Sequence, residues 1–341
     1  MKINLEMGQR GEFRAVAHRG HLLDVHGNIL RHGEVVAESA WSPNLITLGG
    51  FAALLNGGTS IGSVVGTGNT APSESDTLLA GYRGRYTTQV QYSYVVYTTP
   101  DVDGYYRIER IIRATYNPGA LGSGAVNIAE AGMAMASSPV NTTPLLSRGL
   151  LVDAFGAPTV VSMNASTEYL DVYWKHTRFI KAELTGTQSL DILGTPTDHD
   201  FILRPMLLDP AHGQHGIWWS AGSAISISGL APVVTDTSFG SPNYGPRVFD
   251  GDIPNALNQI PAGNYLQQSS YTIDAYVSNS KERVFHLNLA PGDGNLAAHI
   301  RSLSLKWGSS GYMMQVNPRL QKNATPARVL RLDFKVAMAN K

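Results

Sequence analysis

The chain has 341 residues, 26 Lys and Arg against 26 Asp and Glu, and no cysteine. Formal neutrality argues against the basic surface on which nucleic-acid binding and polybasic membrane binding rest, and the missing cysteines exclude disulfides and thiolate metal ligands. No apolar run approaches the ~18 residues of a spanning helix, and MKINLEMGQRGEF carries no signal-like apolar core; the expectation is a soluble protein that leaves its cell only by lysis. Charged residues make up 15% of the chain, below the roughly 25% of an ordinary domain. Either surface is hidden in permanent subunit contacts, or Gly, Ser and Thr supply its polarity.

Helical periodicity is almost absent, and short alternating runs broken by Gly, Pro and Asn dominate. This predicts an all-β chain of one or two β-sandwich or jelly-roll-like bodies. Residues 1–40, rich in His, Arg and Gly, read as an N-terminal hairpin or docking segment that folds fully only on docking. Residues 41–185 form a first body and residues 186–341 a second. A two-turn helix is expected over Leu48 to Asn56, stopped by Gly57-Gly58. Gln89 to Tyr97 and Tyr105 to Thr115 flank PDVDG, a hairpin signal. Leu151 to Met163 carries a second, with its turn at Asp153-Ala154-Phe155-Gly156. Further strands are expected where Leu170, Val172 and Trp174 alternate with polar residues, at Ile225 and Ile227, and from Leu330 to Met338. Arg113 to Gly119 (RATYNPG) matches His286 to Gly292 (HLNLAPG), and each precedes an aromatic strand, YLDVYWKH or VLRLDFKV. Tandem duplication and convergence on similar turns both explain this match.

Catalytic signals are weak. Gly58-Thr59-Ser60-Ile61-Gly62 fits G-x-S-x-G, but the apolar helix precedes it, the reverse of a nucleophile elbow. His18, His21, His26 and His32, then His199, His212 and His215, cluster without a recognisable metal motif, so no metal or cofactor is expected. Asp101 and Asp103 lack the downstream ligands of a calcium loop and read as a plain turn. Trp218 and Trp219, with Tyr244, Tyr265, Tyr271 and Tyr276, could stack on a host surface glycan or fill a core. Trp218, Trp219 and Tyr244 are the candidate stacking residues.

Residues 41–79 join Asn44-Leu45-Ile46-Thr47 to Val65-Gly66-Thr67-Gly68-Asn69-Thr70-Ala71-Pro72 and Asp76-Thr77-Leu78-Leu79. With NIAEAGMAM, LLSRGLLVDAFGAPTVVSMNASTEYLDVYWKHTRF and the last 60 residues, this pattern resembles virion proteins of tailed bacteriophages, from the tail, collar and fibre region. It departs from the family pattern at Ala129 and Ala131, and Gly149 stands where the family often has alanine. The resemblance implies a non-enzymatic structural component of the virion, assembled in the host cytoplasm, whose partners are identical subunits and other virion proteins. A glycan-binding adhesin is the alternative, and an envelope-degrading hydrolase the distant one. The candidate assembly loop is Gly66, Thr67, Gly68, Asn69, Thr70, Ala71, Pro72 and Asp76. Its two glycines permit positive φ, Asn tolerates left-handed geometry, and Ser73 to Asp76 can cap a turn.

Overall fold

The first residues of the chain alternate: Ile3, Leu5, Met7, Phe13, Ala15 and Ala17 are buried, while Asn4, Glu6 and Arg10 are exposed. A period of two makes a strand with one wet face. Lys2–Arg19 is accordingly one long strand inside a 14-stranded sheet. The computed structural model describes residues 2–20, 22–23, 29–31, 33–55, 59–86, 90–135, 144–192, 195–207, 226–227, 247–256, 259, 261–263, 265–268, 270–289, 300–307, 310–320 and 330–341.

One edge of the Lys2–Arg19 strand pairs antiparallel with Tyr169–Lys181, from Met7 to His18. The other edge takes three partners in turn. Leu330–Asn340 runs parallel along Lys2 to Gln9, Ser42–Ile46 antiparallel along Gly11 to Phe13, and Glu34–Glu38 antiparallel along Val16 to Arg19. The sheet branches at this edge. Beyond Tyr169–Lys181 lie Tyr105–Tyr116 and Val90–Tyr97. Beyond Ser42–Ile46 lie Leu145–Leu150, Glu130–Met135, Thr59–Gly66 and Tyr82–Tyr86. This second branch curls back over the first. The Tyr86 and Tyr116 rings sit 5.5 Å apart, and the Tyr116 hydroxyl donates to the Ser63 carbonyl at 2.8 Å. Burial pushes the Tyr116 phenol far up, so it stays a neutral donor.

A second sheet of six strands runs in the order Leu184–Ile192, Thr195–Leu207, Ser310–Leu320, Ile300–Trp307, Arg247–Phe249, Tyr265–Gln268. One buried cluster joins the two sheets, with Leu5, Phe13, Ile112 and Phe334 from the first and Phe201, Tyr312 and Met314 from the second. The helix Leu48–Leu55 adds Phe51, Leu54 and Leu55. Thr47 caps it, its Oγ1 accepting the Gly50 amide at 3.2 Å.

Among the described residues this is an all-β chain with one helix, as the alternation predicts. The PDVDG hairpin forms with Tyr97 opposite Arg107. The second expected hairpin forms but is short, its pairing ending where the Thr159 amide donates to the Leu151 carbonyl. One bridge, Val152 to Pro158, closes it; Val161–Asn164 then pairs with Ala125–Ile128, while Leu145–Leu150 pairs with Glu130–Met135. The sheets do not follow the expected boundary at 185/186 either. Ser270–Ile273, Glu282–Leu289 and Leu330–Asn340 belong to the sheet that holds Lys2–Arg19. Residues 2–19 are a central strand rather than an appended hairpin, because their apolar face is part of the shared core.

The matched segments meet the same partners in the same register. Arg113, Ala114, Thr115 and Tyr116 lie opposite Tyr173, Val172, Asp171 and Leu170; His286, Leu287, Asn288 and Leu289 lie opposite Asp333, Leu332, Arg331 and Leu330. Both strand pairs then flank the first strand, one antiparallel and one parallel. Gly8 faces Phe179 on one side and Ala339 on the other, while Met7–Ile180 mirrors Gln9–Asn340. The two strand pairs are thus placed about Gly8 in corresponding register, and both belong to the same sheet.

In the C-terminal half of this arrangement, His286 bridges two carboxylates, Asp274 at 2.8 Å and Asp333 at 2.6 Å, and Arg331 also donates to Asp333. Burial opposes the imidazolium, but the two aspartates outweigh it and raise the His286 pKa above its usual value. Because the folded pKa is raised, this contribution to stability is complete below about pH 6.5 and fades as pH rises through the folded value. The denaturation midpoint is expected to fall between pH 6 and pH 8.5 in the wild type, and to fall less in His286→Gln.

Candidate functional site

The outer face of Thr59–Gly66, Glu130–Met135 and Leu145–Leu150 carries Val64, Gly66, Glu130, Ala134, Leu145 and Arg148, and the chain from Thr67 to Gly81 crosses over it. Glu130 and Arg148 are charged residues inside strands buried on nearly every position. Their side chains are 0% and 3% exposed, and Arg148 Nε lies 2.7 Å from Glu130 Oε2. A buried charge needs every lone pair and proton matched.

The loop supplies those partners. Glu130 Oε1 accepts the amides of Gly68 at 3.1 Å and Gly81 at 2.7 Å, and Oε2 accepts that of Ala80 at 3.3 Å. Arg148 Nη1 donates to Asp76 at 2.7 Å, and Nη2 to the carbonyl and hydroxyl oxygens of Thr70 at 2.9 and 3.0 Å. Burial pulls Arg148 toward the neutral form, and the Asp76 and Glu130 carboxylates outweigh it, so the guanidinium is held charged. The loop closes on itself as Thr67 donates its amide to the Gly81 carbonyl at 2.8 Å. Asp76 Oδ2 also accepts the Ser73 amide at 2.9 Å, the expected side-chain cap. Glu74 ties the same loop to distant elements. Its carbonyl accepts the Leu48 amide at the helix start, and its carboxylate meets Lys281 and the Asn340 side chain. The Lys281 hydrogen bond holds that carboxyl below the usual range.

The candidate loop residues divide into two sets. Gly66, Thr67, Gly68, Thr70 and Asp76 make the clamp, whereas Asn69 and Ala71 are exposed and Pro72 is half-buried. One expectation is corrected. Neither Gly66, Gly68 nor Asn69 has a positive φ. The glycines are required by space: a Cβ on Gly66 would stand 2.6 Å from Glu130 Oε1, and one on Gly68 2.4 Å.

The other candidates fall elsewhere. Trp218, Trp219, Tyr244, His21, His26, His32, His212 and His215 lie outside the described residues. Tyr276 donates its hydroxyl to Ser280, half-buried, as an architectural contact. Ser60 sits within the Thr59–Gly66 strand, opposite Ser226, and not on a strand-to-helix turn. His18 lies 3.5 Å from the buried Asp171, which also accepts from Thr115 at 2.6 Å. There the carboxylate, not the imidazole, is central, so no hydroxyl is set up for activation. His199 bonds the Pro318 carbonyl. Asp101 accepts the amides of Asp103 and Tyr105, a plain turn. No group of three metal-ligating side chains occurs among the described residues.

Comparison with known proteins adds no relative: no protein-family model, characterised protein or solved structure matches the chain.

Glu130 and Arg148 are the residues that sequence reasoning passed over. The signal was a lone acid in NIAEAGMAM and a lone base in LLSRGLL, each among residues too apolar for a wet strand. Removing one partner strands the other charge, so Glu130→Ala is expected to cost about 3–5 kcal/mol in chemical denaturation. Gly68→Ala places a methyl against a fixed carboxylate. It is expected to cost about 1–3 kcal/mol, read as a lowered melting temperature, even though alanine is the smallest replacement.

Proposed function

We propose that the chain is a structural component of a tailed-phage particle, in its tail, collar or fibre apparatus, acting by self-assembly and by docking to other virion proteins. The observation that carries this reading is where the resembling segments meet. Thr70 and Asp76 of the first, Glu130 of the second and Arg148 of the third converge on one buried ion pair. On this reading, the segments that resemble virion proteins act together as a device for holding a surface loop in one shape. The loop exposes Thr67, Asn69, Thr70, Ala71, Ser73, Ser75, Thr77 and Leu78 above that anchor. A loop ordered in advance loses little entropy when a neighbouring subunit covers it, which is what permanent assembly requires.

The low charge content supports the same reading. No described helix is long and apolar enough to cross a membrane. Assembly would take place in the host cytoplasm, and the finished protein would reside in the virion. Peptide mass spectrometry of density-banded particles is expected to find the chain in fixed ratio to the other structural proteins. Recovery only from the soluble lysate would overturn the proposal.

A further inference from the structure

We infer that the core face of the first sheet binds a small inorganic anion among Gln9, Asn44, Arg110, Trp174, His176 and Arg178. The inference is independent of the virion reading. Strand register brings the six residues to one patch. Gln9 lies opposite Arg178, Gly11 opposite both His176 and Asn44, His176 opposite Arg110, and Phe13 opposite Trp174. Residues paired directly across strands share a face, and this face is the one that buries Phe13 and Ile112.

Glycine makes the room. A Cβ on Gly11 would stand 1.7 Å from Asn44 Oδ1, so the Asn44 amide lies over Gly11, between Gln9 and Phe13 along the strand. A Cβ on Gly149, on the far side, would stand 3.1 Å from that of Asn44. The Trp174 and His176 rings lie 5.2 Å apart, which places the indole in the same patch.

All members of the patch except Asn44 are more than nine-tenths buried. Gln9 Nε2 and Trp174 Nε1 are buried N–H groups with no hydrogen-bond partner among the described residues, and the Asn44 amide is in the same position. Arg178 donates to Gln9 Oε1 at 3.5 Å, so the oxygen of that amide is engaged and its nitrogen is the group left to match. Amide and indole N–H groups hold an anion without giving up a proton.

Two guanidiniums set the sign. Burial, then Arg178, then Arg110 hold the His176 imidazole well below its usual range, so it is neutral at pH 7. The part played by the two arginines shows that the imidazole sits in a positive field. Such a field, in a medium with little water to screen it, favours an anion over a water molecule as the acceptor.

Melting temperatures of the full chain test this, with chloride and phosphate titrated separately and gluconate holding the ionic strength. A ligand that binds only the folded state stabilises it in proportion to the logarithm of its concentration. The wild type is therefore expected to gain about 2 °C or more between about 1 and 100 mM of the anion that binds. Gln9→Leu and Trp174→Phe each remove an N–H group at little change in shape, and each is expected to lose most of that gain. A melting temperature indifferent to the anion, or one that responds equally in all three proteins, would overturn the proposal. Wild-type crystals grown in bromide serve if a variant fails to fold: anomalous density beside Gln9 Nε2 or Trp174 Nε1 is expected, and water alone at both positions would overturn it.

Discussion

The fixed shape of the 67–81 loop depends on one buried carboxylate. Glu130 sits without solvent contact between strands, where an unmatched charge would cost several kcal/mol. Arg148 offsets part of that cost, and three backbone amides from one surface loop offset more. The dependence runs both ways. The carboxylate cannot stay buried unless the loop lies on it, and among the loop's side chains only Leu79 is a buried apolar anchor. Asp76, partly open to water, completes the guanidinium's partners from the loop's other side. A long polar loop thereby acquires a fixed shape without any bound ligand.

The sheet extends that logic to the whole molecule. The first strand is shared by two strand sets that repeat each other's register, and Gly8 marks the centre of the relation. Sharing a strand forces the two halves into one cooperative unit, since neither set can leave without exposing the edge of the other. Smaller ties reinforce it. Asn340 bonds both the amide and carbonyl of Ile46, and Glu74 of the clamped loop meets Lys281 and Asn340 from the C-terminal half. The loop therefore sits where the two halves of the chain meet.

Much of the architecture was legible in the residues. The alternation of Leu332, Phe334, Val336 and Met338, and of Leu170, Val172 and Trp174, becomes buried faces of real strands because period two survives tertiary packing. The match of RATYNPG to HLNLAPG proved to have a counterpart in strand pairing. Strand partnership was less legible. Nothing local in Val161–Asn164 says that it pairs with Ala125–Ile128, nor that the last strand returns to the first, since such pairings are set by packing across long stretches of chain. At the candidate site the loop was visible, but its mechanism was not. Glycine in a loop reads as backbone freedom, and only the position of Glu130 reveals that Gly66 and Gly68 are glycine for lack of space. Trp41 was likewise only part of a motif until its ring met Tyr173 and the Lys175 ammonium on the outer face of the sheet.

The central claim is that the Glu130 carboxylate holds the loop in place, and amide hydrogen exchange tests it most directly. In the wild type the amides of Gly68 and Gly81 should exchange as slowly as those of the neighbouring strands, while Glu130→Ala should speed both by about a hundredfold or more. Fast exchange of these two amides in the wild type, or rates unchanged by the substitution, would contradict the account.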